Sequence, residues 1–376
     1  MGDERTITVY LPPHYYDEPE VEYTVTYVLD GHFAPFINLG VQSIEYPCYM
    51  EKITQTIVVG IHAKQRGWEF SAPDPGEEPD EEEHYQGPRA PELQQHFKKE
   101  VFPLIDSLYP RTLPFRTLVG HSSGGGFVLY TLFGEGRALF DAYIGISPAL
   151  RESEQAVLGN AERLLQAGTK FPKFLYCSTG TVGDREFLFG RSLDKLDALL
   201  KQYPESGLIW RRNTFEGMDH FTCVGPSFNG GMVELTRAFR ADTKTIFDFA
   251  ANSAPLALQL DAFYAEQKKA YGFIDVPSAG YLFRVALDLE AREKLKAAGE
   301  LYDWATAKHP DNYRLSRKRG NFYFRHNPPA AVEAYGATME LLERQKAELD
   351  ASVYEDRKVW LEERMKEVEQ AVKDKK

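Results

Sequence analysis

The chain has 376 residues, 43% of them hydrophobic and 13% aromatic, which is enough for a sizeable core and long enough for two domains. A formal net charge of −12 argues against nucleic acid or an anionic membrane surface as a partner. No run approaches the roughly 18 consecutive apolar residues of a membrane span, and Cys48, Cys177 and Cys223 are too few and too scattered for a disulfide framework or a zinc site.

The opening Met1-Gly2-Asp3-Glu4-Arg5 carries no signal-peptide pattern and runs at once into a strand. That reads as cytoplasmic, or as periplasmic or secreted had a leader been removed. From there to about residue 250, strand and helix patterns alternate. Strands are predicted at Thr6–Leu11, Tyr23–Leu29, Thr56–Ile61, Arg116–Val119, Ala142–Ile146, Lys173–Cys177 and Leu208–Phe215. The central ones are apolar throughout, as in a sheet covered on both faces. Leu93, Phe97, Val101, Ile105 and Leu108 repeat at helical spacing behind a Pro-Glu start at Pro91. Leu193, Leu196, Leu199 and Leu200 mark a further helix. Such alternation predicts a mostly parallel, doubly wound α/β sheet. Ser71 to Ala90, rich in proline and carrying the acidic run Glu77 to Glu83, interrupts it as a long polar loop, either a solvated insertion or a lid.

After about residue 250 the chain is helical and charged, with no strand pattern. Ala298, Tyr302, Ala305 and Pro310 have the spacing of the second helix of a tetratricopeptide repeat, and Leu282, Val285, Ala286 and Leu289 suit the first. Leu315 and Phe322, then Ala331 and Tyr335, form a weaker second copy, and Glu355 to Lys373 a terminal helix with Trp360, Met365 and Val368 on its apolar side. The expected division is an α/β domain over residues 1–250, a helical linker over 251–274 and an all-α helical-repeat domain over 275–376. Two repeats cannot bury Leu295, Leu301, Tyr302, Val332, Tyr335 and Leu342 alone. They would dock on the first domain or form a homodimer.

The chemistry concentrates at Gly120-His121-Ser122-Ser123-Gly124. Strand, tight turn and helix around Gly-x-Ser-x-Gly make a nucleophile elbow, with small residues two before and two after the serine. Ser122 is then the nucleophile, and the backbone N–H of Ser123 points where an oxyanion forms. A serine hydroxyl needs a base, and the base an orienting acid, in the chain order Ser, Asp or Glu, His. His220, after the strand Leu208–Phe215, fits the base. Asp184, in the Gly-rich loop after Lys173–Cys177, fits the acid, with Glu186 as its alternative. Asp219 is badly placed to reach the neighbouring ring, and His121 reads as structural. His14, His62, His84 and His96 precede the serine and fit the order poorly. A second oxyanion donor should follow Val28-Leu29-Asp30-Gly31, from the N–H of His32 or Phe33, with His32 preferred and Asp30 bonding nearby backbone.

Together these motifs resemble the putative-esterase family of α/β-hydrolases. Val9-Tyr10-Leu11-Pro12-Pro13 is similar to its opening strand, Tyr27 to Phe33 to its oxyanion segment, Gly120 to Gly125 to its elbow, and Ile146-Ser147-Pro148 to the Ser-Pro turn of the next strand. The siderophore (enterobactin) esterase-like branch, with a tetratricopeptide-like tail, is the nearest resemblance. It implies an α/β-hydrolase fold and a serine carboxylic ester hydrolase acting on a small-molecule ester, with no cofactor and no metal. Basic residues near the site, expected in that branch, form no cluster in the sequence. Acyl transfer by the same residues, or a scaffold role carried by the helical tail, are the alternatives.

Overall fold

The computed structural model describes residues 4–13, 15–16, 21–72, 88–150 and 153–374. The acidic part of the 71–90 loop, His14 and His84 therefore lie outside the described residues.

Seven strands form a sheet: β1 (Ile7–Tyr10), β2 (Tyr23–Leu29), β3 (Thr56–Ile61), β4 (Thr112–His121), β5 (Ala142–Ile146), β6 (Phe174–Gly180) and β7 (Ile209–Phe215). Their spatial order is β1-β3-β2-β4-β5-β6-β7, with β1 antiparallel to β3 and every other neighbour parallel. All seven fall where the sequence predicts them. Every residue of β2, β3, β5 and β6 is buried, because helices cover both faces. Side chains alternate between two apolar layers. Tyr27, Leu29, Leu118 and Tyr143 enter one, with the helices Ser123–Leu132 and Asp184–Leu200. Val28, Val119 and Ile144 enter the other, with the helices Ala34–Tyr49 and Val224–Phe239.

The helix predicted behind Pro91 buries Leu93, Phe97, Val101 and Ile105, but Leu108 is exposed. It is not one regular helix. A π turn, Phe97–Val101, stands between Ala90–His96 and Phe102–Leu108. Pro103 has no N–H to donate back to Lys99, and its ring would crowd that carbonyl.

The chain divides into two compact units, Met1–Phe239 with Lys268–Asp275, and Arg240–Gln267 with Val276–Lys376. The first break thus falls at Phe239, not near residue 250, and part of the expected linker belongs to the α/β unit. Contacts explain its return: the Phe273 ring lies 4.1 Å from that of Phe115, and Asp275 Oδ2 accepts from Thr54 Oγ1 at 2.6 Å.

The second unit contains the helices Ala279–Ala291, Leu295–Lys308, Tyr313–His326, Pro328–Arg344 and Ala351–Lys373. Leu282, Val285, Ala286, Leu289, Ala298, Tyr302, Ala305, Leu315, Phe322, Ala331 and Tyr335 are all buried. Tyr302 packs on Phe322, and Tyr335 on Trp360. Of the side chains expected to need a docking partner, Leu301, Tyr302, Tyr335 and Leu342 are already buried in the single chain, and only Leu295 and Val332 are exposed. No described helix is long and apolar enough to cross a membrane.

Candidate active site

The end of β4 drives the chain into a strained turn. Ser122 sits at φ 58, ψ −119, a conformation that L residues seldom adopt. Backbone bonds hold it there: Ser122 N–H donates to Ile146 O at 2.9 Å, and Ser122 O accepts from Gly126 and Ala149 N–H at 3.0 and 2.9 Å. The two flanking glycines are unequal. A Cβ on Gly120 would stand 2.3 Å from Gly124 O, so the turn closes only with glycine there. A Cβ on Gly124 would meet Leu29 Cδ1 at an ordinary 3.4 Å. The expected need for a small residue is thus strict before the serine and mild after it.

Ser123 is the first residue of the elbow helix, so its N–H has no intrahelical acceptor. After β2, Asp30 takes a left-handed φ of 61 and turns the chain. Gly31 passes so close to β3 that a Cβ would lie 2.5 Å from Gly60 C. Gly31 N–H donates to Ile61 O at 2.8 Å and Phe33 N–H to Asp30 O at 2.9 Å. Of the candidate donors, Phe33 is thereby occupied, and among the described residues His32 N–H has no acceptor. The Asp30 carboxylate does not bond nearby backbone as expected. It accepts from Arg66 Nε at 2.7 Å, and Arg66 Nη2 donates to His121 O at 3.1 Å.

His220 follows β7 and is buried. Its Nδ1 lies 2.7 Å from Glu186 Oε1. The acid that meets the histidine is therefore Glu186 and not Asp184. The strand β6 ends at Gly180, and the chain re-enters helix at Asp184, whose side chain is exposed. Glu186, two residues on, lies in phase with buried Phe189, Leu193, Leu196 and Leu200, and its side chain is fully enclosed. Its Oε2 accepts from Ser147 Oγ at 2.9 Å and from Gly180 N–H. Burial pushes the carboxyl upward, but the hydrogen bonds from His220, Gly180 and Ser147 outweigh it and hold Glu186 below its ordinary value. Ser147 takes a positive φ of 41 to reach this position.

Asp219 folds back on its own loop, accepting from Phe221 and Thr222 N–H at 3.0 and 2.8 Å, and does not reach the His220 ring. His121 is a support. Burial foremost, and then the His220 charge, push it down to about 4. Being neutral, its Nε2–H donates to His220 O at 3.0 Å, and its ring lies against those of Phe36 and His220.

Ser122, His32 and His220 line one cavity of about 480 Å³, walled by Phe33, Phe36, Leu39 and Phe221. Among the described residues neither Ser122 Oγ nor His220 Nε2 has a hydrogen-bond partner. Arg66 and Arg185 also line it, so the fold gathers basic side chains that the sequence scatters. Among the described residues no cluster of His, Cys, Asp and Glu could hold a metal ion, and the three cysteines are buried and free.

A family model, described as Putative esterase, matches residues 1–198. No curated protein matches the chain. Among solved structures, an IroE-like serine hydrolase from Shewanella oneidensis superposes with a TM-score of 0.63 at 21% identity, over 81% of this chain and 95% of that one. An uncharacterised protein from Capnocytophaga ochracea gives 0.62 at 14% identity over 96% of both chains, helical tail included. Siderophore hydrolase EstA from Aspergillus nidulans gives 0.51 at 20% identity over 62% of this chain and 89% of that one. These likenesses are of fold. The chain belongs to the putative-esterase family and is an esterase of the α/β-hydrolase fold.

Proposed function

We propose that Ser122, His220 and Glu186 form a catalytic triad that hydrolyses a carboxylic ester of a small molecule. The observation that carries this reading is the buried Glu186–His220 bond beside a serine held at positive φ in the same cavity. Glu186 keeps the His220 proton on Nδ1, which leaves Nε2 free to act as a base. Ser122 Oγ attacks the ester carbonyl as His220 takes its proton. The N–H groups of Ser123 and His32 receive the oxyanion. Collapse of the tetrahedral intermediate expels the alcohol, which takes the proton from His220. Water then repeats the sequence on the acyl-enzyme. The aromatic and aliphatic cavity wall suits an ester with an apolar acyl or alkoxy group.

A fluorophosphonate probe should label the protein once, at Ser122, and aryl-ester turnover should vanish with the labelling. An unlabelled but folded chain would return the scaffold reading. The tetratricopeptide-like identity of the tail is part of this proposal, supported by the buried repeat positions; because Leu301, Tyr302, Tyr335 and Leu342 are already buried in a single chain, they lend no support to dimerisation.

A further inference from the structure

Arg66 is placed where one side chain can govern both halves of the oxyanion site. Its Nε bonds Asp30, two residues before the free N–H of His32. Its Nη2 bonds the carbonyl of His121, two residues before the N–H of Ser123. The two segments come from different strands, β2 and β4. Each is itself in a strained conformation, with Asp30 at φ 61 and Ser122 at φ 58. The guanidinium fork is planar and rigid, so bonds at two of its corners fix a separation as well as an attraction.

The arginine is itself held. The segment before it turns around the buried Glu69, whose Oε1 accepts from Lys64 and Gln65 N–H at 3.3 and 3.2 Å. Glu69 is gripped by Arg5 through two bonds, at 3.0 and 2.8 Å. Both of these side chains are almost wholly buried, at 5% and 1% exposure. Arg66 also lies over the Phe70 ring at 5.4 Å. An ordinary surface arginine has no such foundation.

We infer that Arg66 is a positioning residue that sets the spacing of the two oxyanion donors, the N–H groups of His32 and Ser123, by tying Asp30 to the elbow. The inference rests on the triad reading above. Donors spaced for the tetrahedral oxyanion, rather than for the planar carbonyl, act on the barrier and not on substrate binding. Arg66 therefore bears on kcat.

The test compares wild type, Arg66→Gln, Arg66→Lys, Asp30→Asn and Ser122→Ala with a neutral aryl acetate and an aryl ester bearing a carboxylate. Arg66→Gln should lower kcat about 10²-fold on both esters, the scale of losing one oxyanion donor. KM for the neutral ester should stay within about twofold, since ground-state binding is untouched. The fluorophosphonate labelling rate should fall in parallel with kcat. Arg66→Lys should rescue little, because an ammonium cannot span both acceptors. Asp30→Asn, which tolerates the left-handed turn, should give a smaller loss that is not additive with Arg66→Gln. It reads the same tie from its other end should Arg66→Gln fold poorly. Unchanged kcat on the neutral ester, or a loss confined to KM for the charged ester, overturns the inference and makes Arg66 a substrate-charge contact. Residual turnover in Ser122→Ala would instead remove the triad reading, whatever Arg66 does.

Discussion

Glu186 and His220 are 34 residues apart in sequence, yet Oε1 of one lies 2.7 Å from Nδ1 of the other. The carboxylate side chain has no exposed surface, and its second oxygen is taken by Ser147 and Gly180. A buried acid with both oxygens committed cannot turn away from the imidazole, so the tautomer is fixed before substrate arrives.

Glu186→Gln should therefore lower kcat steeply, by up to ~10⁴-fold, as when a triad acid becomes an amide. Asp184→Asn should change it less than about twofold, because Asp184 is exposed at the helix start. Steady-state kinetics on an aryl ester reads both. The opposite ranking would move the acid back to Asp184. Two mild effects would leave a Ser-His dyad.

Ser122→Ala should remove at least ~10⁴-fold of kcat, and Ser123→Ala should be mild, since only its backbone is used. Ser122 also carries backbone strain at φ 58. Ser122→Gly should be more stable than Ser122→Ala by about 1 kcal/mol, because glycine takes that conformation without the Cβ clash. Equal denaturation midpoints for the two variants would show that the elbow stores no strain.

The two elbow glycines should separate in the same assay. Gly120→Ala forces a Cβ to within 2.3 Å of Gly124 O and should cost about 3 kcal/mol or leave the protein insoluble. Gly124→Ala meets an ordinary contact at 3.4 Å and gains helix propensity of about 1 kcal/mol, so its Tm should match or exceed wild type. A severe Gly124→Ala phenotype would contradict this geometry.

Acid should destabilise the chain through His121. Between pH 6.5 and about 4 the unfolded chain carries a proton on this residue that the folded one refuses, so stability rises with pH across that window. The loss on acidification is about 3 kcal/mol. Glu186 works in the same direction: its depressed folded value gives stability that is present above pH 4.5 and lost as pH falls through the folded value. Urea midpoints measured from pH 7 to 4.5 should show the slope, and His121→Gln should flatten most of it. An unchanged slope in that variant would place the titration elsewhere.

The sheet was legible because its central strands carry apolar runs bounded by turn residues. The serine and the histidine were legible because elbow chemistry and chain order are local signals. Sequence alone prefers Asp184 to Glu186 as the acid, since Gly183 and Asp184 look like a loop at a strand end. The signal was available in helical phase. Stepping back from Leu200, Leu196 and Leu193 by threes and fours reaches Phe189 and then Glu186, a charge on an otherwise apolar stripe. Arg66 was invisible for a different reason. Its partners lie at the ends of two neighbouring strands, Asp30 just after β2 and His121 at the end of β4, and only strand order brings them together. The return of Lys268–Asp275 to the first unit likewise depends on long-range pairs such as Thr54 with Asp275.

An acid borne on a helix rather than in a loop changes which length variants the chain can survive. One residue inserted between Glu186 and Phe189 rotates the carboxylate about 100° around the helix axis relative to the buried stripe and turns it away from His220. A residue added before Gly183, where the chain is still exposed turn, shifts no helical phase. Natural insertions and deletions in this part of the fold should therefore gather at positions 181–183 and stop abruptly at the first turn of the helix.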